Sequence, residues 1–326
     1  MQPRQRQYDS REIWKQPRAL LDSLGLSRHA FRLAHETVLS FPMRVPAAFA
    51  DRMVKGDPDD PLLRQVLPVA EEEFAREGYS TDPLAEHAHQ PVPGLLHKYS
   101  GRVLLVVTGA CAIHCRYCFR RHFPYADANP LAGHWGEVMA YLKQDKSLSE
   151  IILSGGDPLT LDDAKLAVLV YQLAEIPHLE RLRIHTRIPV VLPQRIGAGL
   201  VAWLRGTRLQ PVMVVHVNHA REIDARVDRA IFRLRRAQVP VFNQSVLLKG
   251  VNDSVDALVD LSERLFAAGI IPYYLHMLDP VQGAAHFEVP EDRARQLMDG
   301  LRRRLPGYLV PRLVREQHGI ASKIPL

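Results

Sequence analysis

From residue 102 onward the chain repeats one pattern, a strand-length apolar run followed by a helical stretch. Runs at 102–108, 150–154, 181–185, 212–217, 241–248 and 271–277 read as strands, and 136–144, 162–174, 196–204, 225–237 and 255–268 read as helices. Parallel neighbours need a long crossover, whereas antiparallel neighbours need only a tight turn. The repeat therefore predicts an α/β fold with a parallel sheet. Six units predict a curved, open (β/α)6 barrel instead of a closed eight-unit one. In such barrels the loops after the strands carry the chemistry.

Three polar motifs stand in that topological position. Cys111-Ala-Ile-His-Cys115-Arg-Tyr-Cys118 follows the first strand, Gly155-Gly156-Asp157 the second, and Asp279 the sixth. The three cysteines are the only ones in the chain. Three thiolates on a [4Fe-4S] cube leave one iron without a protein ligand, open to a substrate or cofactor. A zinc site is the other chemistry these thiols permit, with His114 or His122 as the fourth ligand. The odd count and tight spacing argue against a disulfide framework, which points to a reducing, cytoplasmic location.

The first ~95 residues differ. Short helical pieces are expected at 11–24, 27–39, 46–54 and 61–66, with Leu20, Leu21, Leu24 and Leu26 as apolar contacts and Asp57-Pro-Asp-Asp-Pro61 as a break. This predicts a mainly helical N-terminal extension, residues 1–95, before a core of residues 96–326. The polar N-terminus is no secretory signal, and no apolar run approaches the ~20 residues of a membrane span. The net charge of +6 is dispersed, and the longest arginine run is Arg302-Arg303-Arg304. No direct nucleic-acid partner is expected from such spacing.

Cys-x3-Cys-x2-Cys with an aromatic residue before the last cysteine resembles the radical S-adenosylmethionine superfamily. Longer stretches narrow the resemblance. Residues 99–102, 115–121, 186–196, 243–253 and 272–279, with His286-Phe287, resemble lysine 2,3-aminomutases. The resemblance implies a radical SAM barrel with a [4Fe-4S] cluster on Cys111, Cys115 and Cys118. S-adenosylmethionine would lie against Ser154, Gly155, Gly156, Asp157, His216 and Gln244. It implies pyridoxal 5'-phosphate on Lys323, with Lys98, Tyr99 and Arg102 as further contacts. A Schiff-base lysine must reach a desolvated site, so the C-terminal tail is expected to be folded in. Arg120 would take the carboxylate of L-lysine, since a guanidinium fork donates two parallel bonds. Asp279 and Glu316 would take the far ammonium.

The chain departs from the longer members of that family. Lys98 stands for an arginine and Glu316 for an aspartate, and His318-Gly-Ile-Ala-Ser322 replaces a glycine run before the pyridoxal lysine. No cysteine is left for an inter-subunit zinc. These features resemble the short bacterial branch that makes (R)-β-lysine for elongation factor P, which a separate lysyl ligase attaches; flavodoxin or ferredoxin would supply electrons. The alternatives are an aminomutase making free β-lysine, a glutamate aminomutase and a non-catalytic iron–sulfur electron carrier. Cleavage of S-adenosylmethionine separates the carrier from the enzymes. Asp279 and Glu316 would repel glutamate.

Overall fold

A computed structural model describes residues 13–34, 41–128, 130–320 and 322–326. Near the N-terminus, strand β1 (Ile13–Trp14) pairs antiparallel with β2 (Val45–Pro46). Three short helices belong to the same region: α1 (Pro17–Ser23), α2 (Ala47–Ala50) and α3 (Pro61–Arg64). The extension is thus less helical than expected, mostly turns and irregular chain. Pro42, Pro46, Pro58, Pro61 and Pro68 punctuate it, and each lacks the N–H that a continuing helix requires. The 11–12 and 35–39 parts of the expected helices lie outside the described residues. The apolar spacing was nonetheless meaningful. Leu20, Leu21, Phe49, Leu62, Leu63 and Val66 are fully buried in one cluster with the barrel's Leu105, Ile151, Leu182 and Met213. Each such side chain stabilises the fold by roughly 1.5–3 kcal/mol relative to exposure.

The main sheet has nine strands: β3 (Leu95–Tyr99), β4 (Arg102–Thr108), β5 (Glu150–Gly155), β6 (Arg181–Thr186), β7 (Gln210–Val215), β8 (Val241–Val246), β9 (Ile271–His276), β10 (Arg312–Arg315) and β11 (Ile324–Pro325). They lie in sequence order. Strands β4 to β10 run parallel, and β3 and β11 are antiparallel edges. The end strands β3 and β11 do not pair, so the barrel stays open. Its outer layer contains α4 (Trp135–Gln144), α5 (Asp163–Ala174), the short α6 (Ile188–Val191), α7 (Ala198–Gly206), α8 (Ala225–Arg236), α9 (Val255–Ala268) and α10 (Glu291–Arg304). Asp162, Asp224 and Ser254 cap α5, α8 and α9 through their side chains.

All six sequence-predicted strands are present. The seventh parallel strand, β10, was not foreseen, because four residues between Pro311 and a polar loop are too few to show a period. Strand β6 displays the alternation that builds the site: Leu182, Ile184 and Thr186 are buried against the helices, leaving Arg181, Arg183 and His185 for the inner side. No described helix is long and apolar enough to cross a membrane.

Candidate active site

The polar motifs converge where the parallel strands end. The cysteine loop is held from beneath by the N-terminal extension. Arg116 is completely buried and donates to Glu72 at 2.8 and 2.5 Å and to the Phe41 carbonyl at 2.9 Å. Arg121 donates to the same Glu72 at 2.7 Å. Cys111, Cys115 and Cys118 are free and only partly exposed. Burial and then the neighbouring thiol of Cys115 push Cys118 up to about 11. Cys111 is also pushed well above the usual thiol range, by burial and then by Cys118, Asp157 and Cys115. Each of Cys111 and Cys118 lies in the field of the neighbouring thiols, and soft thiolates suit an iron–sulfur cluster. No group of three or more ligating side chains among the described residues is set to hold a single metal ion. His114 and His122 do not complete a zinc set: His114 Nδ1 bonds the Pro42 carbonyl at 2.7 Å, and His122 Nε2 the Gln282 carbonyl at 3.2 Å.

The glycine motif packs onto the start of this loop. Gly156 N donates to Thr108 O at 2.7 Å, and Asp157 N to Ala110 O at 2.8 Å. Gly155 has φ +121°, and a Cβ there would stand 2.5 Å from Thr108 O; one at Gly156 would collide with Ala110 O. Asp157 does something other than the direct cofactor contact expected of it. Its carboxylate accepts from Thr186 Oγ1 (2.7 Å), Arg187 N (2.7 Å), Leu159 N (3.1 Å) and Ile188 N (3.2 Å). With both oxygens turned into the fold, it braces the motif.

Arg187, within the 186–196 stretch, joins the cysteine loop to the N-terminal extension. It donates to Cys115 Sγ at 2.7 Å, to Gln65 Oε1 at 2.7 Å and to Glu222 Oε2 at 2.9 Å. Glu222 is fully buried. Burial raises its pKa, but the charge and hydrogen bond of Arg187 overcome this and leave it lowered.

Three histidines face the interior. His216 Nε2 and His185 Nε2 are buried without a hydrogen-bond partner among the described residues. Burial, then Arg187, Lys323 and Arg120, lower His216 to about 4. Burial and then Arg183 lower His185 well below its ordinary value, and burial and then Lys323 do the same to His276. All three are neutral at pH 7, and the two orphaned nitrogens fit a polar ligand. Gln244 lies on the same side of β8, opposite Asn243 and Ser245, which face helix α9.

The C-terminal tail folds inward as the resemblance implied. Strand β11 pairs with β10, and Leu326 N donates to Leu313 O at 3.1 Å. Lys323 Nζ thereby stands 3.0 Å from Glu316 Oε2, 3.3 Å from His276 Nε2 and 5.5 Å above the Tyr274 ring. Lys98 Nζ meets the other oxygen of Glu316 at 3.0 Å. Lys98 and Glu316 are therefore partners. Burial would raise the pKa of Glu316, but Lys323 and Lys98 hold it well below the carboxylate range. Tyr99 is raised by burial and by Glu316. Arg102 lies 4.9 Å over the Tyr99 ring. A cavity of about 180 Å³, lined by His89, Lys98, Gly319 and Ile320, opens beside them. Two lysines, a stacking surface and adjoining space fit pyridoxal phosphate.

Arg120 and Asp279 complete the ring of charge. Arg120 is 6% exposed, and its field reaches His185 and His216. It already has a carboxylate partner that the sequence did not reveal, Glu86, at 2.7 and 2.6 Å. Asp279 has no side-chain hydrogen bond with a described residue. Burial, then repulsion from Glu316, raises it to about 7 against the pull of Lys323 and Lys98.

The chain is similar to known proteins of one family. Residues 105–262 match the radical SAM superfamily. The chain is 50% identical to the L-lysine 2,3-aminomutase of Escherichia coli (strain K12), over 97% of this chain and 95% of that one. It is 48% identical to the Haemophilus influenzae protein of that name, over 94% and 91%. It is 37% identical to the one from Clostridium subterminale, over 89% of this chain and 70% of that one.

Proposed function

The chain belongs to the L-lysine 2,3-aminomutase family of radical SAM isomerases, and from that premise we propose that it moves the α-amino group of L-lysine to C3, giving β-lysine. The observation that carries this reading is the inward fold of the tail, with Lys323 in the field of His185, His216, His276 and Asp279. A lysine so placed stands at the centre of the site instead of on its surface.

Cys111, Cys115 and Cys118 would hold the [4Fe-4S] cluster. Ser154, Gly155 and Gly156, with His216 and Gln244, would hold S-adenosylmethionine. Lys323 would carry pyridoxal phosphate, with Lys98, Tyr99 and Arg102 around it. When bound, these groups supply a hydrogen-abstracting radical and a carbonyl carrier whose ring spreads an unpaired electron. The protein's share is position and exclusion of water. Arg120 holds the substrate carboxylate, and Asp279 with Glu316 holds the far ammonium. Glu316 Oε2 loses its present partner whenever Lys323 Nζ is engaged elsewhere, and an incoming ammonium then restores the ion pair.

We assign the product, as (R)-β-lysine, to the modification of elongation factor P by a separate lysyl ligase, with flavodoxin or ferredoxin as electron donor in the cytoplasm. Support comes from the higher identity to the Escherichia coli relative than to the clostridial one. It comes also from the confinement of every cysteine to the cluster loop. Anaerobic incubation of the reconstituted protein with L-lysine, S-adenosylmethionine, pyridoxal phosphate and a reductant should yield β-lysine; its absence would sink the substrate assignment. A deletion strain should contain unmodified elongation factor P, and fully modified factor there would refute that link.

A further inference from the structure

The N-terminal extension places one buried carboxylate against the substrate-facing end of the site. Glu86 opens the single 3-10 turn Glu86–His89 and is 5% exposed. The chain goes to some length to deliver it. Ala85, directly before it, has φ +48°, a left-handed conformation that non-glycine residues seldom adopt. Both carboxylate oxygens of Asp82 are used to hold the turn, accepting from Glu86 N at 2.9 Å and His87 N at 3.3 Å. The carbonyl of Leu84 accepts from Lys98 Nζ at 3.3 Å, which ties the same segment to the pyridoxal side.

Glu86 meets Arg120 edge to edge. Arg120 Nε donates to Oε2 at 2.7 Å and Nη2 to Oε1 at 2.6 Å. Nη1 donates to Ser154 Oγ at 3.1 Å, and the guanidinium lies 4.9 Å from the Phe119 ring centroid and 5.9 Å from that of Phe123. A guanidinium has five N–H donors in a rigid plane. Glu86 occupies the Nε–Nη2 edge, so the remaining Nη2 hydrogen lies on the Nη1–Nη2 edge. The charge of Glu86 reaches Asp279, and that of Arg120 reaches His185 and His216, so the pair borders the same interior.

We propose that Glu86 is a positioning residue that fixes the guanidinium plane of Arg120, so that its free edge meets the α-carboxylate of the amino-acid substrate. The inference rests on the reading of Arg120 as the carboxylate site. It also gives the N-terminal extension a part in substrate recognition.

The test uses the full chain, loaded with iron–sulfur and pyridoxal phosphate but unreduced. L-lysine and L-lysinamide, which lacks the carboxylate, are titrated separately against the pyridoxal absorbance. Glu86→Gln should weaken L-lysine about 10- to 100-fold, the scale of one lost charge-assisted contact, and leave lysinamide close to its wild-type affinity. In turnover, KM should rise much more than kcat falls. Glu86→Asp, which keeps the carboxylate, should recover part of the loss. Unchanged lysine affinity in Glu86→Gln, or equal weakening of both ligands, would overturn the proposal. If Glu86→Gln does not fold, Glu86→Asp decides by the same comparison. Arg120→Gln is measured in parallel. If it weakens lysine while Glu86→Gln does not, only the positioning role fails. If it leaves lysine unaffected, the carboxylate reading fails and this inference with it.

Discussion

As the proposed partner of the substrate's far ammonium, Asp279 should make lysine binding depend on pH in a direction that its surroundings determine. Its pKa is raised from 3.8 to about 7, first by burial and then by Glu316. In the empty site the carboxyl therefore holds its proton below about pH 7, whereas an ammonium partner requires the anion. Binding must release that proton, so affinity should rise about tenfold per pH unit below 7 and flatten above it, until the substrate's own ammonium titrates near 10.4. Other groups add little slope. Glu316 stays ionised because Lys98 remains on its other oxygen when Lys323 is engaged, and His185, His216 and His276 are neutral above their lowered pKa values.

The same shift bears on stability. A carboxyl with a raised folded pKa favours the fold below the unfolded value, and that advantage is lost as pH rises through 3.8 toward 7. The loss is at most roughly 4 kcal/mol, from about three pKa units at 1.36 kcal/mol each. Asp279→Asn should therefore stabilise the empty enzyme at pH 8 and remove the pH dependence of lysine binding. It should also weaken that binding by about 3–5 kcal/mol, the scale of leaving a buried ammonium without its anion. The assay is titration of the pyridoxal absorbance with L-lysine from about pH 5.5 to 8.5 at fixed ionic strength. A flat wild-type profile, or a slope that persists in Asp279→Asn, would refute the reasoning.

Three further outcomes are expected. Lys323→Ala should abolish the borohydride-stable pyridoxal adduct; an adduct retained at another lysine would contradict the assignment. Glu222→Ala leaves Arg187 buried beside Cys115 without its carboxylate and should cost about 3–5 kcal/mol, seen as a lowered Tm and reduced iron content; unchanged melting would show the pair to be dispensable. Gly156→Ala must displace the backbone at Ala110, so isothermal titration should show weakened S-adenosylmethionine binding; full affinity would place the cofactor elsewhere.

The barrel was legible because its strands are buried on a fixed period and separated by amphipathic helices, so composition and spacing carry the pattern. The cysteine loop was legible because all three cysteines of the chain crowd into eight residues, a spacing other roles for cysteine seldom produce. The inward position of Lys323 was legible only through a family resemblance, since a lysine three residues from the end otherwise reads as a solvated charge. Glu86 left no signal: its role depends on a left-handed Ala85 and on contact with a residue 34 positions away. Arg187 was hidden for a similar reason, being joined to Gln65, Cys115 and Glu222 only by folding. Asp157 stood in the right motif, but its hydrogen bonds into the fold give it a bracing task. The extension misled because its leucine spacing is helical while its prolines forbid long helices.

Migration of the amino group is tested most directly by isotope. L-lysine carrying 15N only at the α-amino position is incubated anaerobically with the reconstituted, reduced enzyme, and the β-lysine is examined by NMR. The label should appear on C3, with the side-chain nitrogen unlabelled. Product labelled at the side-chain nitrogen, or S-adenosylmethionine cleavage without any β-lysine, would contradict an amino-group shift organised by Lys323, Arg120 and Asp279.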